Sequence, residues 1–299
     1  IYGLFVKMVI ADNLAPLVEL VFSNPLAYSQ TDNVIALLLF SLQIYADFNG
    51  YSLIAIGVAK IMGVNLMDNF KTPYFSTSIK EFWNRWHISL STWFRDYLYI
   101  PLGGNKTSYF RWLINIMIVF VVSGIWHGAN FTFIIWGIIH GLAYLIETIF
   151  IKDKNEKNYN SIGARWLKTY VIINLAWIFF RSDSLANAYL SISRIIGYKP
   201  NISSYEKIIQ LENSKSTEVN LNYFNNYSNE LDKTLAIEPT YLALILLLLL
   251  LDLWIKKSRF DKKIGRYSFA VRWSIYTLLI FCIMALSGTE FYQFIYFQF

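Results

Sequence analysis

From Trp112 to Ile125 the only polar side chains are Asn115 and Ser123, and from Phe131 to Ile149 the chain is almost as apolar. Runs of this kind have few ways to fold. In hydrocarbon every backbone N–H and C=O must be satisfied internally, which leaves the α-helix as the available conformation. Further apolar runs extend from Val34 to Met62, Trp166 to Phe180, Tyr241 to Ile255 and Val271 to Gly288. The first stretch, Ile1 to Phe22, contains Lys7, Asp12, Asn13 and Pro16, and reads as a broken or partly buried span. Several runs fall short of the roughly 20 residues needed to cross a bilayer. The expected fold is therefore all-α: a polytopic integral membrane helix bundle, with short and re-entrant helices around a trans-bilayer tunnel. One membrane domain, 1–299, accounts for the whole chain. Because Ile1 already lies inside an apolar stretch and is not Met, further N-terminal helices are expected upstream.

Charge fixes an orientation. Only 15% of the 299 residues are charged, against about 25% in soluble domains. The net charge of +6 falls in short runs between apolar segments, so it reports topology rather than nucleic-acid binding. The loop 151–168 has five basic and two acidic residues, and 256–266 has six basic residues against Asp261. Both are expected in the cytoplasm, as is 71–111. The stretch 181–238 then becomes an extracytoplasmic insertion, and the aromatic tail 291–299 is expected to end at the outer face. The single cysteine, Cys282, supports neither a disulfide framework nor a metal cluster, and no metal is expected.

Two of the three histidines are candidates for chemistry. His127 closes the Trp112–Ile125 run, where an ionisable group is costly and marks either a pathway or a reaction site. By helix length it is expected below the outer surface, at the bottom of an outward-facing cavity. Residues 79–98 place apolar side chains at helical spacing, predicting one amphipathic helix with His87 on the border of its polar face. Its ring could face a tunnel or simply the headgroups. Asp47, inside an apolar span, is read as structural, with Arg85 or Arg95 as its expected partner. Arg95 and Asp96 are adjacent and are not expected to face each other. His140 is expected to be a hydrogen-bonded core residue.

The strings Gln43-Ile-Tyr-Ala-Asp-Phe-Asn-Gly-Tyr-Ser52, Glu81-Phe-Trp-Asn-Arg-Trp-His87 with its continuation to Tyr99-Ile-Pro-Leu-Gly-Gly-Asn105, and Gly124-Ile-Trp-His-Gly-Ala129 resemble the membrane-bound O-acyltransferase family. So does the ending Phe294-Ile-Tyr-Phe-Gln-Phe299. Within the family, the likeness is to the bacterial branch of alginate and peptidoglycan O-acetyltransferase membrane subunits. It implies a multi-pass protein of the bacterial inner membrane that takes acetyl from cytoplasmic acetyl-CoA to a hydroxyl of a cell-envelope glycan. A periplasmic acetyltransferase or esterase-like partner is implied as a relay.

The same resemblance assigns the catalytic histidine to His127 and the second motif histidine to His87. Trp83, Asn84, Trp86 and Trp126 are the candidate tunnel and substrate-binding residues. His127 could be a general base or carry the acyl group covalently. D-alanyl transfer, a proton-coupled transporter using His87, His127 and Asp47, and a membrane scaffold without chemistry are the alternatives.

Overall fold

A computed structural model describes residues 1–150, 161–200, 235, 238–256, 259–288, 292, 294 and 295. Among these, helices follow one another with no β-sheet. They are α1 (Tyr2–Phe5), α2 (Asp12–Phe22), α3 (Gln30–Ile61), α4 (Ile79–Trp83), α5 (Ile88–Phe94), α6 (Tyr109–His127), α7 (Phe131–Phe150), α8 (Ile162–Arg181), α9 (Leu185–Ile195), α10 (Pro239–Ile255), α11 (Phe260–Ile264) and α12 (Phe269–Leu286). Four of them, α3, α6, α7 and α12, are long and apolar enough to cross a membrane, and α10 is a shorter apolar helix.

The central helix is α3. Its start is fixed by a reciprocal cap: Asp32 N–H donates to Ser29 Oγ at 3.2 Å, and Ser29 N–H donates to Asp32 Oδ2 at 3.3 Å. The segment before it is broken as expected, because a π-helical stretch, Val6–Ala11, separates α1 from α2, which also contains Pro16. Gly3 and Gly50 let α1 cross α3 at close range; a Cβ on Gly3 would lie 2.8 Å from the Gly50 carbonyl oxygen. The α6–α7 hairpin is equally tight. Gly124 faces the Phe133 backbone and Gly137 faces the Phe120 backbone, leaving no room for a side chain on either.

Two faces emerge from the polar contacts. On one, Lys60 pairs with Asp261 at 3.2 Å, Arg259 with Asp68 at 3.1 Å, and Lys168 with Glu147 at 3.7 Å. On the other, Arg181 meets Glu19, Arg194 meets the Tyr28 carbonyl, and Gln30 donates to the Ile195 carbonyl at 3.0 Å. Each contact joins helix ends that the charge pattern puts on the same side. The first is called the lysine-rich face below. Of the stretch 181–238, α9 packs on the opposite face with Ala186, Ala188 and Leu190 buried. Residues 201–234 lie outside the described residues, as do 151–160.

Two expectations change. The predicted 79–98 helix is interrupted at residues 84–87 and resumes as α5. Arg95 and Asp96 do meet, at 2.7 Å, because both side chains are largely exposed and free to curl together where π-helical turns begin. Within the aromatic tail, Lys7 Nζ donates to the Tyr292 carbonyl at 3.0 Å and Ile295 N–H donates to Asp47 at 2.8 Å; residues 296–299, where the tail is expected to end at the outer face, lie outside the described residues.

Candidate active site

The break between α4 and α5 is what shapes the site. Here the chain is held by the loop that precedes it. Asn69 accepts Ile88 N–H on its backbone carbonyl at 3.1 Å and Ser89 N–H on Oδ1 at 3.1 Å, and Lys71 N–H donates to the Arg85 carbonyl at 2.9 Å. These bonds satisfy backbone donors that a continuous helix would have used internally. His87, at the turn, adopts a left-handed conformation with φ +42°. For a residue with a side chain this costs about 1–3 kcal/mol and persists only where surrounding contacts enforce it. Its ring packs edge-on against Phe48, 4.6 Å between centroids, with Ser89 Oγ 3.4 Å from Nδ1. Burial pushes its pKa down to about 4, so the ring is neutral near pH 7.

His127 is the last residue of α6 and is buried. Trp126, Trp136 and Phe180 surround its ring at 5.0, 5.1 and 5.1 Å. The two motif histidines, forty positions apart in the chain, adjoin the same cavity through their chain neighbours. Its volume is about 370 Å³. Asn84 and Ile88 line it close to His87 in the chain, Ser123 lines it one helical turn before His127, and Arg95 and Tyr99 line it as well.

The candidate tunnel residues separate into two groups. Trp83 and Asn84 line this cavity. Trp86 does not; it is fully buried against Phe70 at 5.0 Å and Trp177 at 5.1 Å. Trp126 is 55% exposed on the outside of α6.

Asp47 pairs with neither Arg85 nor Arg95. Its partner is Lys7 at 2.5 Å, and Lys7 also holds Asp12 at 2.7 Å. Arg85 is taken by Glu81 at 2.6 Å, one turn away on its own segment. His140 is fully buried, yet neither ring nitrogen has a hydrogen-bond partner among the described residues, so the hydrogen-bonded reading is corrected. It is held by rings instead, with Trp83 and Trp136 each at 5.0 Å. Asn69 was not foreseen: a lone Asn in a polar loop carries no signal of what it will hold. No cluster among the described residues could hold a metal ion.

The sequence profile of MBOAT, the membrane-bound O-acyltransferase family, matches residues 1–182, which include both histidines and the residues lining the cavity beside them. The chain belongs to that family. Among its relatives, a probable alginate O-acetylase AlgI of Pseudomonas putida is 44% identical over 185 residues, 61% of this chain and 37% of the relative. A peptidoglycan O-acetyltransferase of Helicobacter pylori is 39% identical over 196 residues, 65% of this chain and 37% of the relative. A teichoic acid D-alanyltransferase of Bacillus subtilis is 36% identical over 143 residues, 45% of this chain and 35% of the relative. The matched stretch thus spans well under half the length of each of these family members.

Proposed function

We propose that this chain transfers acetyl from acetyl-CoA, taken up at the lysine-rich face, to a hydroxyl presented at the opposite face. The hydroxyl belongs to a cell-envelope glycan such as alginate or peptidoglycan, or to a periplasmic transferase that passes the group on. The inner membrane of a bacterium is the matching location. The observation that carries the reading is that chain neighbours of both His87 and His127 line one cavity, in a chain of this family. A second cavity, of about 320 Å³, supports the donor's direction of entry. Lys71, Lys256, Arg259 and Lys262 line it, and its inner wall includes Phe70, which packs on Phe48, the ring against His87.

In this reading His127 is neutral and takes the proton of the acceptor hydroxyl as the oxygen attacks the thioester carbonyl. The C–O bond forms, the C–S bond breaks, and the proton passes from the imidazolium to the departing thiolate. Neutral His87 orients the thioester. The aromatic walls restrict water, which would otherwise compete as acceptor.

The test is a sealed vesicle with labelled acetyl-CoA on the lysine-rich side. Transfer of label to hydroxyls on the opposite side is expected, and His127→Ala should abolish it at unchanged membrane abundance. Normal transfer by that variant would refute the assignment; labelling only from a D-alanyl donor would redirect it to the chemistry named for the Bacillus relative.

A further inference from the structure

A third cavity, of about 160 Å³, mixes charged and amide side chains with the apolar Ala15, Val18, Phe40 and Ile295. Its floor is Lys7, Asp12 and Asp47, with Lys7 and Asp47 side chains only 5% and 3% exposed. Its rim is Glu19, Arg181 and Asp183, with Glu19 and Asp183 side chains 63% and 82% exposed. It therefore opens at the face opposite the lysine-rich one. Ionisable side chains this deep in a membrane bundle are costly and by default mark a functional site.

Arg181 follows Phe180, whose ring packs 5.1 Å from that of His127. Gln43 lines the cavity from α3. Its side-chain carbonyl oxygen is buried and has no hydrogen-bond partner among the described residues. Leaving a buried acceptor without its hydrogen bond is costly, so the group is suited to accept from a ligand.

The lining determines the kind of ligand. Carboxylates accept from hydroxyls, Arg and Lys donate to oxygen, and an amide does both. Together they suit a polyol. Four carboxylates (Asp12, Glu19, Asp47, Asp183) outnumber two cations (Lys7, Arg181), which opposes an anionic ligand. The space corresponds to about five waters' share of liquid volume, enough for one sugar-sized ring and not for an extended chain. We infer that the cavity formed by Gln43, Asp47, Asp12 and Arg181 is a subsite for a neutral, hydroxyl-rich unit of the acceptor. This rests on the acyl-transfer reading for its purpose and narrows the acceptor named there to a neutral glycan unit, away from alginate, whose units are uronates; the binding itself can be measured without turnover.

The test titrates the protein in lipid nanodiscs, by calorimetry, with a neutral glucose trisaccharide and with an oligouronate of equal length. The neutral sugar is expected to bind at least tenfold more tightly. Gln43→Leu should weaken it about tenfold, and Ala15→Phe, which fills the cavity from α2, should abolish it, each checked for a wild-type melting temperature. Absence of binding, preference for the uronate, or wild-type affinity in both folded variants would overturn the proposal. If either variant fails to fold, the comparison of the two sugars on the unaltered protein still decides. Sugar binding without consumption of acetyl-CoA would count against the acyl-transfer reading and leave the subsite standing.

Discussion

Gly124→Ala should cripple transfer while leaving the protein folded. The substitution adds one methyl group on the α6 face that meets α7. The new Cβ would fall 3.0 Å from the Phe133 carbonyl carbon and closer still to its oxygen, where 3.4 Å is the ordinary lower limit. Backbone cannot rotate aside, so the two helices must part by roughly 1 Å, and His127, one turn along α6, moves with them. Overpacking of this kind costs about 1–3 kcal/mol. Alanine returns up to about 1 kcal/mol through its greater helix propensity, so the net loss of stability is about 2 kcal/mol or less. The rate has no such compensation: a misplacement of about 1 Å costs on the order of a hundredfold. The assay is acetyl transfer per folded molecule in vesicles, with thermal unfolding in detergent alongside. Gly57→Ala is the control, since a Cβ there meets nothing within 4 Å; it should stabilise α3 slightly and leave the rate alone. A Gly124→Ala protein that is folded and works at the wild-type rate would refute the argument that hairpin spacing sets the position of His127.

Other perturbations probe different parts of the site. Lys7→Met leaves Asp12 and Asp47 buried without their cation and should cost about 3–5 kcal/mol, read as lost membrane-inserted protein and partly restored by adding Asp47→Asn. Asn69→Ala removes the side-chain acceptor of Ser89 N–H; a loss of about 1–3 kcal/mol in thermal stability is expected, with a fall in transfer rate because the turn at His87 loosens. His87 has a folded pKa of about 4 against an ordinary 6.5. The unfolded chain therefore binds the proton first as pH falls, so this group lowers stability progressively between pH 6.5 and 4, by up to about 3 kcal/mol. His87→Gln should flatten that slope in pH-dependent melting, and an unchanged slope would contradict a buried neutral ring.

The sequence and the structure agree where one strong force acts along the chain. Apolar runs such as 131–150 must become helices, and basic loops sort to one side, so the bundle and its two faces were readable. Agreement ends where residues far apart compete. The period of 79–98 is helical, yet Asn69 offers the backbone at 88 and 89 an alternative, and the helix breaks there. Arg85 was a reasonable partner for Asp47 by charge, but Glu81 lies one turn away on the same segment and Lys7 reaches Asp47 from the other end of the sequence. Trp86 carries the same motif signal as Trp83. Only three-dimensional packing distinguishes a core ring from a cavity wall, and the motif itself holds no record of it.

The Lys7–Tyr292 hydrogen bond joins positions 285 residues apart. A ribosome delivers Lys7 and Asp47 to the membrane long before the segment that supplies this carbonyl and the Ile295 N–H. Until then the nascent chain holds three ionised groups, Lys7, Asp12 and Asp47, in an unfinished interior. Completion of the polar core is consequently a late event of biogenesis.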